Sequence, residues 1–350
     1  MSHQDTVDLL TETMQPLAPW GSDHQVEELT VNKPDEVFVR KNGKFERHDI
    51  ELSFDDCYDI AILAAAIRRQ TVGDHAPIVG ADIPFGTGIQ RLQAMLPPTV
   101  QSETVSLTIR RFEQEVAPVK LITSRYDTSR WNQWLKRNEA READYVEALK
   151  AFDDGDLEVF LDVAIRMRMN ILLSGSTGAG KTTLARSMMS LVDMAERIIT
   201  IEDALELVIR QPNNVRLLHS KGGLSADGVT PKKLLEAALR MRPSRIVLQE
   251  LRDSESAYVY VNEALTGHPG SITTIHGGSA PQAFKRLFTL VKGSEEGQAY
   301  GDDLIIDLLA NAVDVIIPLE NWGSQYAIRE TFFVADAARR GETARNLMGG

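Results

Sequence analysis

The sequence predicts an α/β protein in which a domain with a mainly parallel sheet follows a smaller α+β domain. Strands and helices alternate in the second half of the chain, which is typical of a parallel sheet with helices on its faces. The length of 350 residues exceeds what one small core needs, and a composition of 43% hydrophobic and 25% charged residues is that of a folded protein. We therefore expect two folded domains.

The N-terminal α+β domain is predicted over residues 1–112. Its strand patterns are EELTVN, DEVFVR and TVSLTIRR, and the apolar stretch 60–67 is interpreted as a helix. Residues 113–150 are rich in charged and polar side chains with only scattered apolar ones. This composition indicates a partly helical linker.

The C-terminal α/β domain is expected over residues 151–350. Its first helix has apolar residues on one face and begins near Asp156, a residue type that favours the N-cap. Helices are also expected after Lys181 and near 234–240 and 257–265. The strand patterns between them are MNILLSG, RIITIED, VRLLH, RIVLQE and SITTIH. Together these elements predict the parallel sheet.

Composition and charge exclude several classes of protein. The net charge of −12 opposes nonspecific binding to phosphates, so nucleic acid is not expected as a default partner. Cys57 is the single cysteine; we expect it to be buried, and the chain has no internal disulfide or cysteine zinc site. No apolar run approaches the roughly 20 residues of a membrane span, and the start, MSHQDTVDLL, lacks a secretory pattern. These observations predict a cytoplasmic protein.

Residues 175–182 read GSTGAGKT, a complete P-loop pattern between an apolar strand and a helix. The glycines let backbone N–H groups surround an anion at the positive end of a helix. Lys181 then reaches the β- and γ-phosphates, and the Thr182 hydroxyl binds Mg²⁺. ATP and Mg²⁺ are therefore the predicted ligands. The residues expected at the nucleotide are Gly175, Ser176, Thr177, Gly178, Ala179, Gly180, Lys181, Thr182 and the adjoining Thr183, which also continues the helix.

Phosphoryl transfer to water needs further groups that hold the metal and orient the water. Glu250 ends the strand pattern RIVLQE and is expected to face the P-loop and bind Mg²⁺ or its water; the alternative is a salt bridge with Arg252. Glu202, Asp203 and Glu206 follow another strand end. Glu202 is the preferred candidate for polarising water, although the sequence does not rank it against Glu206, and all three can be solvated loop charges.

Two histidines, His268 and His276, lie in the Gly-rich segment GHPGSITTIHGGS. Their spacing alone does not make a metal site. One interpretation places both at sheet ends as sensors of the γ-phosphate, and the other makes them structural residues.

Four segments occur in a fixed order: GSTGAGKT, TIEDALEL, RIVLQELR and GHPGSITTIHGGS. They resemble the Walker A, Asp box, Walker B and His box of the secretion ATPase superfamily. In the N-terminal half, LAPW, VEELTVNKPDEVFV and SLTIRR look like the traffic ATPases of type IV secretion and conjugation systems. The resemblance implies a RecA-like P-loop NTPase domain that hydrolyses ATP to ADP and phosphate.

The resemblance also implies a homo-oligomeric ring, usually a hexamer, at the inner face of the bacterial inner membrane. There it would work with inner-membrane components of the secretion machine and power pilus biogenesis and substrate transfer. Arg91 and Arg110 stand where family members bring arginines to the phosphates; the alternative is a pair of surface strand arginines. The other positions that the family implies as functional are Lys181, Thr182, Glu202, Glu206, Glu250, His268 and His276.

Three other functions compete with this one. A pilus-retraction motor is the nearest rival, because it also lacks a tetracysteine motif, and only the N-terminal match disfavours it. A RecA-like helicase or DNA translocase shares the P-loop sheet. A scaffold that binds nucleotide without hydrolysing it is disfavoured by the intact Lys181, Thr182 and Glu250. Relatives with a tetracysteine zinc motif are excluded by the single cysteine.

Overall fold

The structure, a computed structural model, describes residues 2–111, 145–219, 229–323 and 325–349. An N-terminal sheet covered by helices is followed by an α/β unit with parallel strands, so the predicted fold class is confirmed. The segment 112–144, which holds nearly all of the predicted linker, lies outside the described residues.

The N-terminal domain is a six-stranded antiparallel sheet in the order β3-β2-β1-β6-β5-β4, with helices packed on one face. The apolar side chains of this face, such as Leu29 and Leu107, are buried against Leu10 and Ile60 of the helices. The strands are β1 Val26–Val31, β2 Glu36–Lys41, β3 Lys44–Asp49, β4 Ile78–Phe85, β5 Gly88–Met95 and β6 Ser106–Arg110. The helices are α1 His3–Thr13, α2 Ala18–Gly21 and α3 Phe54–Ile67, with a 3₁₀ turn at Gln15–Leu17.

The three predicted N-terminal strands correspond to β1, β2 and β6. The predicted helix at 60–67 begins earlier, at Phe54, because Ser53 and Asp56 form a capping box that starts it. Cys57 lies in this helix and is buried, as expected. The sequence did not predict α1, β3, β4 or β5.

The C-terminal domain contains the predicted parallel strands and the helices between them. Asp156 caps the second of its helices, as predicted, by accepting a hydrogen bond from the N–H of Val159 at 3.1 Å. The helices are α4 Val146–Asp153, α5 Leu157–Arg166, α6 Lys181–Met189, α7 Pro231–Arg240 and α8 Ser254–Thr266. The strands are β7 Ile171–Gly175, β8 Ile198–Glu202, β9 Asn214–Leu218, β10 Arg245–Leu248 and β11 Ile272–Ile275.

Elements after β11 were not predicted. The long strand among them, β12, pairs in parallel with β7 and antiparallel with β13 and β14. The strands are β12 Val315–Trp322, β13 Gln325–Ile328 and β14 Phe332–Phe333. The helices are α9 Ala280–Gly293, α10 Glu295–Gln298, α11 Asp302–Ala312 and α12 Val334–Arg339, with a 3₁₀ turn at Ala344–Met348.

The strands of this domain form two adjoining ladders, β10-β8-β9 and β11-β7-β12-β13. They meet at β10 and β11, where the hydroxyls of Ser271 and Thr274 donate to the carbonyls of Ile246 and Gln249 at 2.8 and 2.7 Å. The carboxyl ends of β7, β8, β10 and β11 therefore lie along one edge. This edge is where a ligand binds in open α/β sheets.

The C-terminal domain begins earlier than predicted. The expected boundary at residue 150 falls inside α4, whose Ala148 and Ala151 are buried in the same core as Leu173 of β7. Helix α4 therefore belongs to the C-terminal domain and not to a linker. Sequence composition missed this because the helix carries charged residues on its outer face.

The second face of the N-terminal sheet buries polar side chains against the C-terminal domain. Arg197 is completely buried, and its guanidinium donates to Oδ1 of Asn32 at 2.7 Å and to the carbonyl of Met241 at 3.0 Å. Nε of Arg242 lies 3.8 Å from Oε2 of Glu28, whose side chain is 1% exposed. The two domains thus meet through buried charges.

Candidate active site

The P-loop connects β7 to α6 and has the backbone that its glycines allow. A Cβ on Gly175 would stand 2.5 Å from the carbonyl oxygen of Leu319, so only glycine fits there. Gly180 has a φ of 91°, in the left-handed region that favours glycine, and it directly precedes the first residue of α6. The loop therefore lies at the N-terminus of a helix, where unpaired N–H groups bind anions.

Lys181 is the positive charge of the loop, and its side chain is held within it. Its ammonium donates to the carbonyls of Gly175 and Ser176 at 2.7 and 3.0 Å. Burial lowers the pKa of Lys181, whereas the nearby Glu250 carboxylate acts to raise it. Carbonyl groups are neutral acceptors, so a phosphate would compete with them for this ammonium.

A cavity of about 440 Å³ lies over the P-loop, at the edge where the parallel strands end. Residues 176–183 form its floor, so every predicted nucleotide residue of the loop except Gly175 lines it. Its remaining walls are formed by Asp203, Glu206, Gln249, Glu250, Arg252, Thr274, His276 and Tyr326. The size and polarity of this cavity suit a small anionic ligand.

Glu250 contacts two other residues of the cavity wall. Its Oε1 lies 2.9 Å from Nε2 of His276, and its Oε2 accepts from Nε and Nη2 of Arg252 at 2.8 and 2.6 Å. Arg252 also donates to Oδ2 of Asp203 at 2.7 Å. Glu250 therefore lines the P-loop cavity, as expected, and also forms the alternative salt bridge with Arg252. Its binding of Mg²⁺ or of a metal-bound water stays a prediction.

Glu202 is placed differently from the expectation that it polarises water. It is fully buried and does not line the cavity. Arg216 donates to both of its oxygens at 2.9 and 2.8 Å, Thr200 donates at 2.6 Å, and the amides of Glu206 and Leu207 donate at 3.0 Å. Every acceptor direction of this carboxylate is in use, so Glu202 fixes the loop that carries Glu206.

Glu206 does line the cavity, and Gln249 positions it. Nε2 of Gln249 donates to Oε2 of Glu206 at 3.0 Å, while its Oε1 accepts from the N–H of Asp203 at 2.9 Å. One amide side chain thus joins the loop after β8 to the loop after β10.

The two histidines lie at opposite ends of β11. His276 follows the carboxyl end and lines the cavity, whereas His268 precedes the amino end and does not. The four-residue strand Ile272–Ile275 separates them by about 10 Å on its own. The structure therefore does not place His268 at the P-loop cavity of its own chain, and its contact with nucleotide stays a prediction.

Arg91 and Arg110 are paired neighbours on β5 and β6, and neither lines the P-loop cavity. They line a separate cavity of about 630 Å³ together with Arg68 and Arg240. The described residues of one chain therefore do not bring the N-terminal arginines to the P-loop cavity.

The cavity fits a magnesium ion. The described residues contain no group of three or more His, Cys, Asp and Glu side chains suited to a metal. Magnesium, however, is usually held by one or two carboxylates together with substrate phosphates. Glu250 on the cavity wall supplies such a carboxylate, and Thr182 on the cavity floor adds a hydroxyl oxygen.

Sequence reasoning missed the contribution of the β12–β13 hairpin. Nδ2 of Asn321 donates to the carbonyl of Gly178 at 3.1 Å, and the ring of Tyr326 forms part of the cavity wall. The apolar run VIIPL at 315–319 carried the signal of a buried strand. It did not reveal that the following strand returns over the P-loop.

The whole chain has known relatives. Residues 12–320 match the family described as Type II/IV secretion system protein. Protein VirB11 of Rhizobium radiobacter is 48% identical over 335 residues, which are 96% of this chain and 96% of that protein. Type IV secretion system protein VirB11 of Bartonella quintana (strain Toulouse) is 35% identical over 356 residues, covering 99% of this chain and 97% of that protein.

A solved structure is also similar over nearly its full length. It is the crystal structure of the VirB11 ATPase from the Brucella suis type IV secretion system in complex with sulphate. The TM-score is 0.86 at 30% sequence identity, with 97% of this chain and 98% of that chain covered.

Proposed function

Because this chain belongs to the type II/IV secretion system protein family and is an ATPase of type IV secretion, we propose that the P-loop cavity is where it hydrolyses ATP. The observation that carries the proposal is the convergence of Lys181, Glu250 and His276 on one cavity at the carboxyl edge of the sheet. The Brucella suis VirB11 ATPase is in complex with sulphate, which supports an affinity of this architecture for tetrahedral anions.

The first step is capture of the triphosphate. Backbone N–H groups of residues 176–182 surround the phosphates, and the Lys181 ammonium turns from the two loop carbonyls to the β- and γ-oxygens. Thr182 and Glu250 would hold Mg²⁺ beside them. When bound, Mg²⁺ neutralises the charge that develops on the phosphate oxygens.

Glu206 is the carboxylate that we assign to the attacking water. It lines the cavity, whereas both oxygens of Glu202 are taken by Arg216 and backbone amides. His276 lies against Glu250, so a γ-phosphate that attracts the imidazole would change the surroundings of this carboxylate. We propose that His276 reports the γ-phosphate in this way.

We further propose that the protein works as a ring of six subunits on the cytoplasmic side of the bacterial inner membrane. There it would act with inner-membrane components of the machine and power pilus biogenesis and substrate transfer. In the described part of the chain, no helix is both long and apolar enough for a bilayer span. Arg91 and Arg110 lie outside the cavity, so they reach nucleotide only by a domain movement or from a neighbouring subunit.

The proposal is tested by phosphate release and native mass of the purified protein. We expect ATP hydrolysis that EDTA abolishes and added Mg²⁺ restores, together with a mass near six times that of one chain. Activity that is insensitive to EDTA would contradict the role of Mg²⁺, and a monomeric mass in the active state would contradict the ring. Strong stimulation by single-stranded DNA would favour a DNA translocase, and loss of pilus retraction in a deletion strain would favour a retraction motor.

A further inference from the structure

The β12–β13 hairpin forms a wall of the P-loop cavity that none of the steps above uses. Asn321 and Tyr326 are directly opposite each other in this hairpin. Asn321 bonds to the carbonyl of Gly178, and ring atoms Cδ1 and Cε1 of Tyr326 lie 3.5 Å from the place that a Cβ on Gly180 would occupy. The hairpin is therefore fixed against the loop that binds the phosphates.

The order of the strands gives the cavity two distinct ends. Within the ladder β11-β7-β12-β13, the P-loop follows β7. Glu250 and His276 follow β10 and β11 on one side of the loop, while Tyr326 lies on β13 on the other side. ATP is an elongated molecule with the γ-phosphate at one end and the base at the other. With the γ-phosphate beside Glu250, the base extends toward the hairpin.

We propose that Tyr326 is a stacking platform for the nucleobase of ATP, and that Asn321 holds this platform in register with the P-loop. This inference rests on the proposed function, because it takes the cavity as the ATP site. Tyr326 is 68% exposed, so its ring has a face available to a ligand. Aromatic side chains in this situation bind bases through stacking, which is tolerant of base identity.

A second aromatic residue on the hairpin provides a matched control. Trp322 is 65% exposed and is not part of the cavity wall. Its ring lies against the guanidinium of Arg329, 4.5 Å from ring centroid to Cζ. Replacing Trp322 therefore removes an exposed aromatic ring from the same hairpin without touching the proposed platform.

The experiment uses the full chain and makes two measurements on each variant. Calorimetry gives the Kd for ATP and for inorganic tripolyphosphate, and steady-state kinetics give KM and kcat for ATP. In Tyr326→Ala and Tyr326→Leu we expect the Kd and KM for ATP to rise about tenfold, because this is the loss of affinity expected when one base no longer stacks on an aromatic ring. We expect kcat and the Kd for tripolyphosphate to stay unchanged, because the phosphate contacts remain. Tyr326→Phe and Trp322→Ala are expected to bind ATP like the parent protein.

Two results would overturn the inference. One is unchanged ATP binding in both Tyr326→Ala and Tyr326→Leu, and the other is an equal loss of ATP and tripolyphosphate binding, which would mean that the residue only supports the P-loop. A Lys181→Ala variant separates this inference from the proposed function, since it should weaken both ligands. If Lys181→Ala weakens both while the Tyr326 variants change neither, the ATP site stands and the platform does not.

Discussion

Glu250 and His276 face each other across the ends of two adjacent strands, with Oε1 of Glu250 2.9 Å from Nε2 of His276. Glu250 follows β10 and His276 follows β11, and the two ladders meet at these strands. The pair exists because the carboxyl ends of parallel strands lie at one edge. It gives the P-loop cavity a carboxylate whose surroundings change when the imidazole moves.

His276→Ala is therefore expected to lower kcat for ATP roughly tenfold to a hundredfold while changing the Kd for ATP little. The matched control is His268→Ala, which removes the histidine at the other end of β11. Steady-state phosphate release and equilibrium binding measure both effects. Equal losses of kcat in the two variants would contradict the different placement of the two histidines.

The two carboxylates of the loop after β8 should separate into a catalytic and a structural role. Glu206→Gln is expected to lower kcat with an unchanged melting temperature. Glu202→Gln should destabilise the fold by about 3 kcal/mol, because it leaves Arg216 without its charged partner. Thermal unfolding together with phosphate release measures both variants. Our assignment is wrong if Glu202→Gln is as stable as the parent and Glu206→Gln is fully active.

Arg91→Ala and Arg110→Ala test the N-terminal arginines. Both residues line the larger cavity between the domains and not the P-loop cavity of the same chain. If a domain movement or a neighbouring subunit brings them to nucleotide, each substitution should raise KM or lower kcat about tenfold in the assembled protein. Arg68→Ala removes a third arginine of the same cavity and should be nearly neutral. Unchanged kinetics in both variants would remove these arginines from the mechanism.

Glu28 predicts a pH dependence of stability. Burial raises the pKa of its carboxyl from 4.5 to about 7, although nearby arginines oppose the shift. Between pH 4.5 and pH 7 the folded state therefore holds a proton that the unfolded state has lost. The stabilisation that the protonated Glu28 gives the fold is fully present below about pH 4.5 and is lost as the pH rises through 7. The charged groups that face Glu28 are Arg197, Arg242, Arg40 and Arg110.

Glu28→Gln removes this titration. The difference in free energy of unfolding between the variant and the parent should shift in favour of the variant by roughly 3 kcal/mol at most when the pH is raised from 5 to 8. Chemical unfolding of both proteins at the two pH values measures the difference. A variant that loses stability at pH 8 would mean that the ionised carboxylate is stabilised by the arginines more than burial disfavours it.

The parts of the site that local sequence determines were predictable. The P-loop, Glu250 and His276 lie directly after strands, and each strand was recognisable from its own apolar residues. The separation of His268 from His276 could also have been predicted, because the strand pattern SITTIH lies between His268 and the end of the strand at His276. Placing that strand between the two histidines puts them at opposite ends of the sheet.

Other parts depend on contacts between distant segments. Glu202 does not line the cavity, because Arg216 on the neighbouring strand β9 binds both of its carboxylate oxygens. Tyr326 reaches the P-loop because β13 returns antiparallel to β12. The locations of Arg91 and Arg110 follow from how the two domains pack. None of these pairings has a local pattern from which it can be read.

We infer that ATP hydrolysis in the P-loop cavity depends on the Lys181 ammonium. The most direct measurement is the steady-state rate of phosphate release by Lys181→Ala, compared with Arg186→Ala, which removes an exposed cation from the same helix. We predict that the rate falls roughly a hundredfold or more in Lys181→Ala and is unchanged in Arg186→Ala. Release of phosphate at the parent rate by Lys181→Ala would show that hydrolysis does not depend on this ammonium.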